Sequence, residues 1–274
     1  MKVAARARAS AGGAVRTRGR APARRVPRSA SAAGSRYVTR PSPHTQGVHV
    51  RATPDVEDAQ EVATEASIIE DLKSAAMNLH TKDQAASGGQ KAKERPAFEP
   101  TREGYLRYLE DSRVIFSTFE EIVKEKDELA PLRDSGLERS SALDRDIAFL
   151  SGLDVGAADF EGDESPGAEY ATYVRTLSEE NLPGFVCHYF NTYFAHTAGG
   201  RMIGKAVSDR ILDGKKLDFY HDYPQAVSKL TRKVKESLEG IATEWSEDER
   251  AKCVGETGKA FKYAGQVMRQ ITAK

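Results

Sequence analysis

Two short stretches carry residue types that plain helical packing does not require. The first is Leu79-His80-Thr81-Lys82-Asp83-Gln84. His80 follows Leu79 and stands four residues after Ala76, at the end of an apolar stripe, so its imidazole points inward. A neutral imidazole can give one nitrogen to a metal and hold its other N–H on a second partner. Gln84, one turn on, is placed to be that partner, and Lys73, seven residues back, lies on the same face for an anion. The competing readings are a satisfied core histidine and a solvated lysine. The second stretch is Ala195-His196-Thr197-Ala198-Gly199-Gly200-Arg201-Met202-Ile203-Gly204. Adjacent glycines inside a helix cost roughly 1 kcal/mol each against alanine. A chain carries that cost where something approaches the backbone closely, where the helix bends, or where small residues let helices pack tightly. His188 and His196 lie two turns apart, but no third ligand at metal-site spacing accompanies them. Cys187 has no orienting acid in view and reads as a buried, inert thiol.

The elements that must hold these residues are helical. Ile69, Leu72, Ala76, Leu79 and His80 fall on one face of a helix over 61–80. Leu106, Leu109, Phe116, Phe119 and Val123 do so over 103–124, and Val227, Leu230, Val234, Leu238, Ile241 and Trp245 over 224–246. The most apolar stretch, 183–213, reads as a buried central helix. A last helix is predicted near 247–272, and shorter ones over 134–150 and 167–178. Ser87-Gly88-Gly89, Pro96, Pro100, Pro131, Pro166, Gly214 and Pro224 break the pattern. Sustained alternation and Asn-Gly or Asp-Gly hairpins are missing, so the expectation is one all-α domain.

Charge divides the chain. The 274 residues hold 41 basic and 41 acidic side chains. Residues 1–52 contain Lys2, eleven arginines and no acid, a charge of +12; the rest carries −12. The first segment is rich in Arg, Ala, Ser, Gly and Pro and has too little apolar bulk to offset the entropy of ordering it. Arg-rich, Ser-rich and acid-free, it reads as a disordered organellar transit peptide, with a basic arm for nucleic acid or membrane as the alternative. Small residues near Val50-Arg51-Ala52 suit processing where the acids begin. The acidic body argues against nucleic acid as a partner. No apolar run is long enough to span a bilayer, and two cysteines make no disulfide framework.

Several separated segments then resemble the haem oxygenases of plant and algal plastids. Leu79 to Gln84 is similar to the family's proximal-ligand motif, and Cys187 to Gly204 to its distal-helix motif. Gly104-Tyr105-Leu106-Arg107-Tyr108-Leu109, Gly136-Leu137-Glu138-Arg139-Ser140 and the tail from Trp245 to Phe261 add to the match, in order, over most of 65–270. The resemblance implies a single helical domain with haem b between a proximal helix and a kinked distal helix, preceded by a transit peptide. The expected division is 1–52 for the chloroplast transit peptide and 53–274 for the enzyme, with its core at about 61–272. It implies that haem is both cofactor and substrate, opened at the α-meso carbon with O2 to biliverdin IXα, CO and ferrous iron for bilin synthesis. His80 would be the axial ligand. Gly199 and Gly200 would let backbone pass over the haem face. Lys73 and Arg232 would bind the propionates. His196 stands where animal members have aspartate, three residues before the double glycine, and would support the distal water network. The compartment implied is the chloroplast stroma, the electron donor reduced ferredoxin, a further partner a downstream bilin reductase, and the state a monomer without a membrane anchor. An acidic body then needs a local basic patch to dock an acidic ferredoxin. Lys73, Lys82, Lys91, Lys93, Arg201, Lys205, Lys215 and Lys216 are the candidates. The alternative function is a non-catalytic haem- or tetrapyrrole-binding regulator on the same fold.

Overall fold

A computed structural model describes residues 67–88, 98–153 and 165–273, with side chains from 67 to 79 in the first segment. The expected transit peptide lies outside the described residues. Every regular element described is helical: α1 (Ile68–Gly88), α2 (Arg102–Glu125), α3 (Ser140–Ser151), α4 (Pro166–Glu180), α5 (Leu182–Ala195), α6 (Arg201–Ile211), α7 (Asp218–His221), α8 (Val227–Ala242), α9 (Glu247–Gly255) and α10 (Thr257–Arg269). A π-helical turn, His196–Gly200, joins α5 to α6. Short 3-10 turns run over Asp127–Leu132 and Gln270–Thr272. The all-α expectation is met.

Local chemistry sets the boundaries. Thr101 caps α2 by accepting the Gly104 N–H at 3.0 Å. Ser165 caps α4 with Pro166 in its first turn, and Asn181 caps α5 with Pro183 in the same place. These side chains satisfy first-turn N–H groups that have no helical acceptor, and proline loses nothing there. Ser246 and Glu249 form a reciprocal capping box that starts α9. The single helix predicted over 247–272 is two, because the chain turns at Glu256. The 134–150 helix begins only at Ser140, where Glu120 accepts from the Arg139 and Ser140 N–H groups.

The core gathers around α5. Phe185, Val186, Tyr189 and Tyr193 are buried, and Phe119 of α2 meets the rings of Phe185, Tyr189 and Tyr193. Each fully buried large apolar side chain contributes about 1.5–3 kcal/mol. The first turn of α1 is held from α8: Glu239 accepts from the Ser67 hydroxyl and from the Ile68 and Ile69 N–H groups, the latter two at 3.2 Å. With Leu72 and Ile68 buried, this fixes α1 against α8, α9 and α10. Among the described residues, no helix is long and apolar enough to cross a membrane.

Candidate active site

His80 stands on α1, eight residues before its end; its side chain is outside the described residues. Lys73, Met77 and His80 follow one another at i, i+4 and i+7, a line along one helix face. Of these, Met77 is 69% exposed and Lys73 is partly exposed. Lys73 pairs with Glu70, a contact on the helix surface that an anion could replace.

The distal stretch is not a plain kinked helix. Its five central residues adopt π geometry, with one extra residue per turn. Glycines ease that widening, because no side chain crowds the turn. The two glycines then differ. A Cβ built on Gly199 would meet nothing within 4 Å. A Cβ on Gly200 would lie 3.4 Å from both the Ala195 carbonyl and His196 Nδ1. Gly199 therefore faces open space, and Gly200 leans back on its own turn. One turn on, a Cβ at Gly204 would strike the ring of Tyr220, so this glycine lets α6 close onto α7. Met202 is 76% exposed beside the turn.

His196 is buried and turned away from solvent. Its Nε2 lies 2.9 Å from the Phe219 carbonyl, and its ring stacks on Phe219 at 4.1 Å and on Tyr220 at 5.3 Å. A carbonyl only accepts, so Nε2 carries the hydrogen. Burial pushes the imidazole down to about 3, Arg139 and Arg201 push the same way, and the Phe219 carbonyl opposes them. It is neutral at working pH. His188 is engaged elsewhere, with Tyr170 meeting its Nδ1 at 2.8 Å and Glu256 its Nε2 at 3.3 Å. The two histidines share none of these partners. Cys187 is buried beside Thr257 at 3.5 Å.

Arg232 is 72% exposed and lies 3.6 Å from Glu236 on its own helix. Lys235, three residues further along α8, reaches 5.3 Å from the centre of the Phe194 ring at the end of α5. Spacing alone offers no reason to prefer it, since a turn's ambiguity in register separates the two cations. The basic residues of the distal side do converge. Arg201, Lys205, Lys215, Lys216 and His221 line one open cleft of about 430 Å³ between α6 and α7, where the acid among the lining residues, Asp209, pairs with Lys205. Lys82, Lys91 and Lys93 are outside the described side chains. Exposed apolar groups, an uncovered backbone at Gly199 and nearby cations suit a flat apolar ring with an anionic edge.

Comparison with known proteins agrees with this geometry. Residues 66–270 match the family model described as Heme oxygenase. The chain is 41% identical over 212 residues to "Heme oxygenase 1, chloroplastic" of Arabidopsis thaliana, covering 74% of this chain and 73% of that one. It is 37% identical over 176 residues to "Probable inactive heme oxygenase 2, chloroplastic" of the same plant, covering 64% and 58%. Its fold is similar to heme oxygenase-1 of the cyanobacterium Synechocystis solved in complex with heme, at a TM-score of 0.56 and 17% identity over 76% of this chain and 93% of that one. A helical bundle whose α1 offers a histidine and whose α5–α6 passage is opened by a glycine-bearing π turn thus belongs to the haem oxygenase family.

Proposed function

We propose that this chain is an active chloroplast haem oxygenase that opens haem at the α-meso carbon to biliverdin IXα, CO and ferrous iron with electrons from reduced ferredoxin. Residues 1–52 serve as transit peptide and 53–274 act in the stroma as a monomer that feeds a bilin reductase. The names of the plant relatives and the acid-free N-terminus support the compartment.

The observation that carries the reading is the π turn whose Gly199 opens on free space, taken with a histidine at position 80 of α1. Haem, when bound, supplies the iron that activates O2 and the carbon that is oxidised. The chain's own residues bind and aim it. His80 gives a neutral nitrogen to the iron from α1. Gly199 would keep its side of the site clear of side chain. Lys73, with Lys235 or Arg232 from α8, holds the propionates and so selects which meso edge meets the distal side. His196 orders donors there through Nδ1, because Nε2 is committed to Phe219. Ferredoxin docks on the cleft of Arg201, Lys205, Lys215 and Lys216, where local charge opposes that of the acidic body.

Titration of the full chain with haemin, then addition of reduced ferredoxin, tests this. A Soret band followed by biliverdin absorbance is expected. A stable Soret band without conversion would assign the chain to the non-catalytic binders, the reading favoured by its likeness to relatives named as inactive. No Soret band would reject both.

A further inference from the structure

The π turn does not fix His196 by itself; a four-residue helix does. α7 is a single turn, too short to hold its own geometry, and it closes with the Asp222 N–H on the Asp218 carbonyl at 2.8 Å. Two buried charged residues of another segment grip its ends. Asp146 of α3 accepts the Asp218 N–H at 3.0 Å and the Phe219 N–H at 2.7 Å. Arg139, just before α3, donates to the Asp222 carbonyl at 2.7 Å and to the Phe219 carbonyl at 3.5 Å. Its Nε is occupied by the Leu137 carbonyl at 3.2 Å, and its guanidinium lies 3.8 Å above the Tyr223 ring. Both side chains are buried. An anion thus sits at the N–H end of α7 and a cation at its carbonyl end, each using hydrogen bonds that cannot be rearranged without leaving a buried charge unpaired.

The Phe219 carbonyl is therefore held in place, and it is the group that meets His196 Nε2. Because the ring is neutral, the proton on Nε2 leaves a lone pair on Nδ1. That lone pair lies on the Gly200 side of the turn, 3.4 Å from where a Cβ at Gly200 would stand. We propose that Arg139 and Asp146 are positioning residues for the distal histidine: they fix α7 so that Phe219 takes the Nε2 hydrogen, and His196 presents Nδ1 to the distal side as an acceptor, never as a proton donor. In this role it orients a water by taking its hydrogen bond. The inference rests on the proposed haem oxygenase reading for its catalytic consequence, while the tautomer itself does not.

The test uses the full chain labelled with 15N-histidine. In the haem-free protein, one-bond and long-range 1H–15N correlations are expected to show His196 with a protonated Nε2 and a bare Nδ1, unchanged between about pH 6 and pH 8. A protonated Nδ1, or a His196 that titrates in that range, would overturn the proposal with no variant made. Arg139→Met and Asp146→Asn are then expected to loosen the tautomer, seen as mixed or exchange-broadened His196 signals. Biliverdin turnover should fall about tenfold to a hundredfold, because a misplaced orienting group is costly even when binding is intact. Haemin affinity read from the Soret band should stay within about threefold, since neither residue touches the proposed haem face. Arg139→Lys, which reaches one carbonyl of the two, should recover part of the turnover. Folding is checked by far-UV circular dichroism; if Arg139→Met does not fold, Asp146→Asn keeps the volume and one acceptor and carries the same readouts. Full turnover with a scrambled tautomer, or lost turnover with the tautomer intact, would each sink the idea. A wild-type protein that binds no haemin would strike the functional reading and leave the tautomer measurement standing.

Discussion

Among single residues, His80 is the one whose loss should be seen first in the spectrum. His80→Ala is expected to change the Soret band and abolish turnover in buffer; an unchanged spectrum and full activity would show another ligand. The two glycines invite different outcomes. Gly199→Leu fills the open side and is expected to cut turnover at least about tenfold while the melting temperature stays near wild type, a loss of clearance rather than of fold. Gly200→Leu presses on His196 Nδ1 and the Ala195 carbonyl, so it should lower stability as well. Equal activity of the two variants would remove the distinction. Lys73 and Gly199 are legible from their offsets within a helix. The contact of Lys235 with Phe194 is not, because Arg232 and Lys235 stand within a turn of each other on α8 and only packing against α5 tells them apart. The place of His196 in the distal stretch is legible; its carbonyl partner, 23 residues on, is not.

Among the elements, the start of α1 is held by a single acid of another helix. Glu239→Gln weakens three hydrogen bonds at the start of α1 and should cost about 1–3 kcal/mol of local stability. Hydrogen exchange is expected to speed up across the first turns of α1, with weaker haemin binding and little change in α2 or α5. Uniform acceleration across the bundle would mean that α1 is not separately anchored. The long periodic helices are legible because burial on one face enforces a period that composition displays. The four-residue α7 is invisible to that reasoning, having no room for a period. The π turn is half legible. Gly199-Gly200 signals a bend or a close approach, but the π geometry of the turn is visible only in the backbone itself.

Across the molecule, charge and protonation govern behaviour. His188 and His196 are buried neutral, with burial pushing them down to about 4 and about 3. The unfolded chain binds those protons near pH 6.5, so their contribution to stability is complete above that pH and is lost as pH falls toward the folded values, by up to about 1.4 kcal/mol per pH unit for each histidine. Burial raises Asp111 and Asp146, which the folded state protonates more readily, so they oppose that loss as pH falls from their raised values to the ordinary carboxylate value. The melting temperature should therefore drop between about pH 7 and pH 5.5; a flat profile would show that both imidazoles are charged in the fold. Turnover driven by reduced ferredoxin should fall as salt rises, and Lys215→Glu with Lys216→Glu should slow it further at low salt without changing haemin affinity. A salt-independent rate, with electron delivery limiting, would reject the cleft as the dock. The order of residues is enough to establish a basic acid-free N-terminal segment, an acidic remainder with helical periodicity and the helix faces on which His80 and the double glycine stand, because charge and periodicity are properties of the chain. Folding settles which glycine is open, which cations share a cleft and which way the His196 hydrogen points. Those depend on groups far apart in sequence, held by buried polar contacts with no local signature.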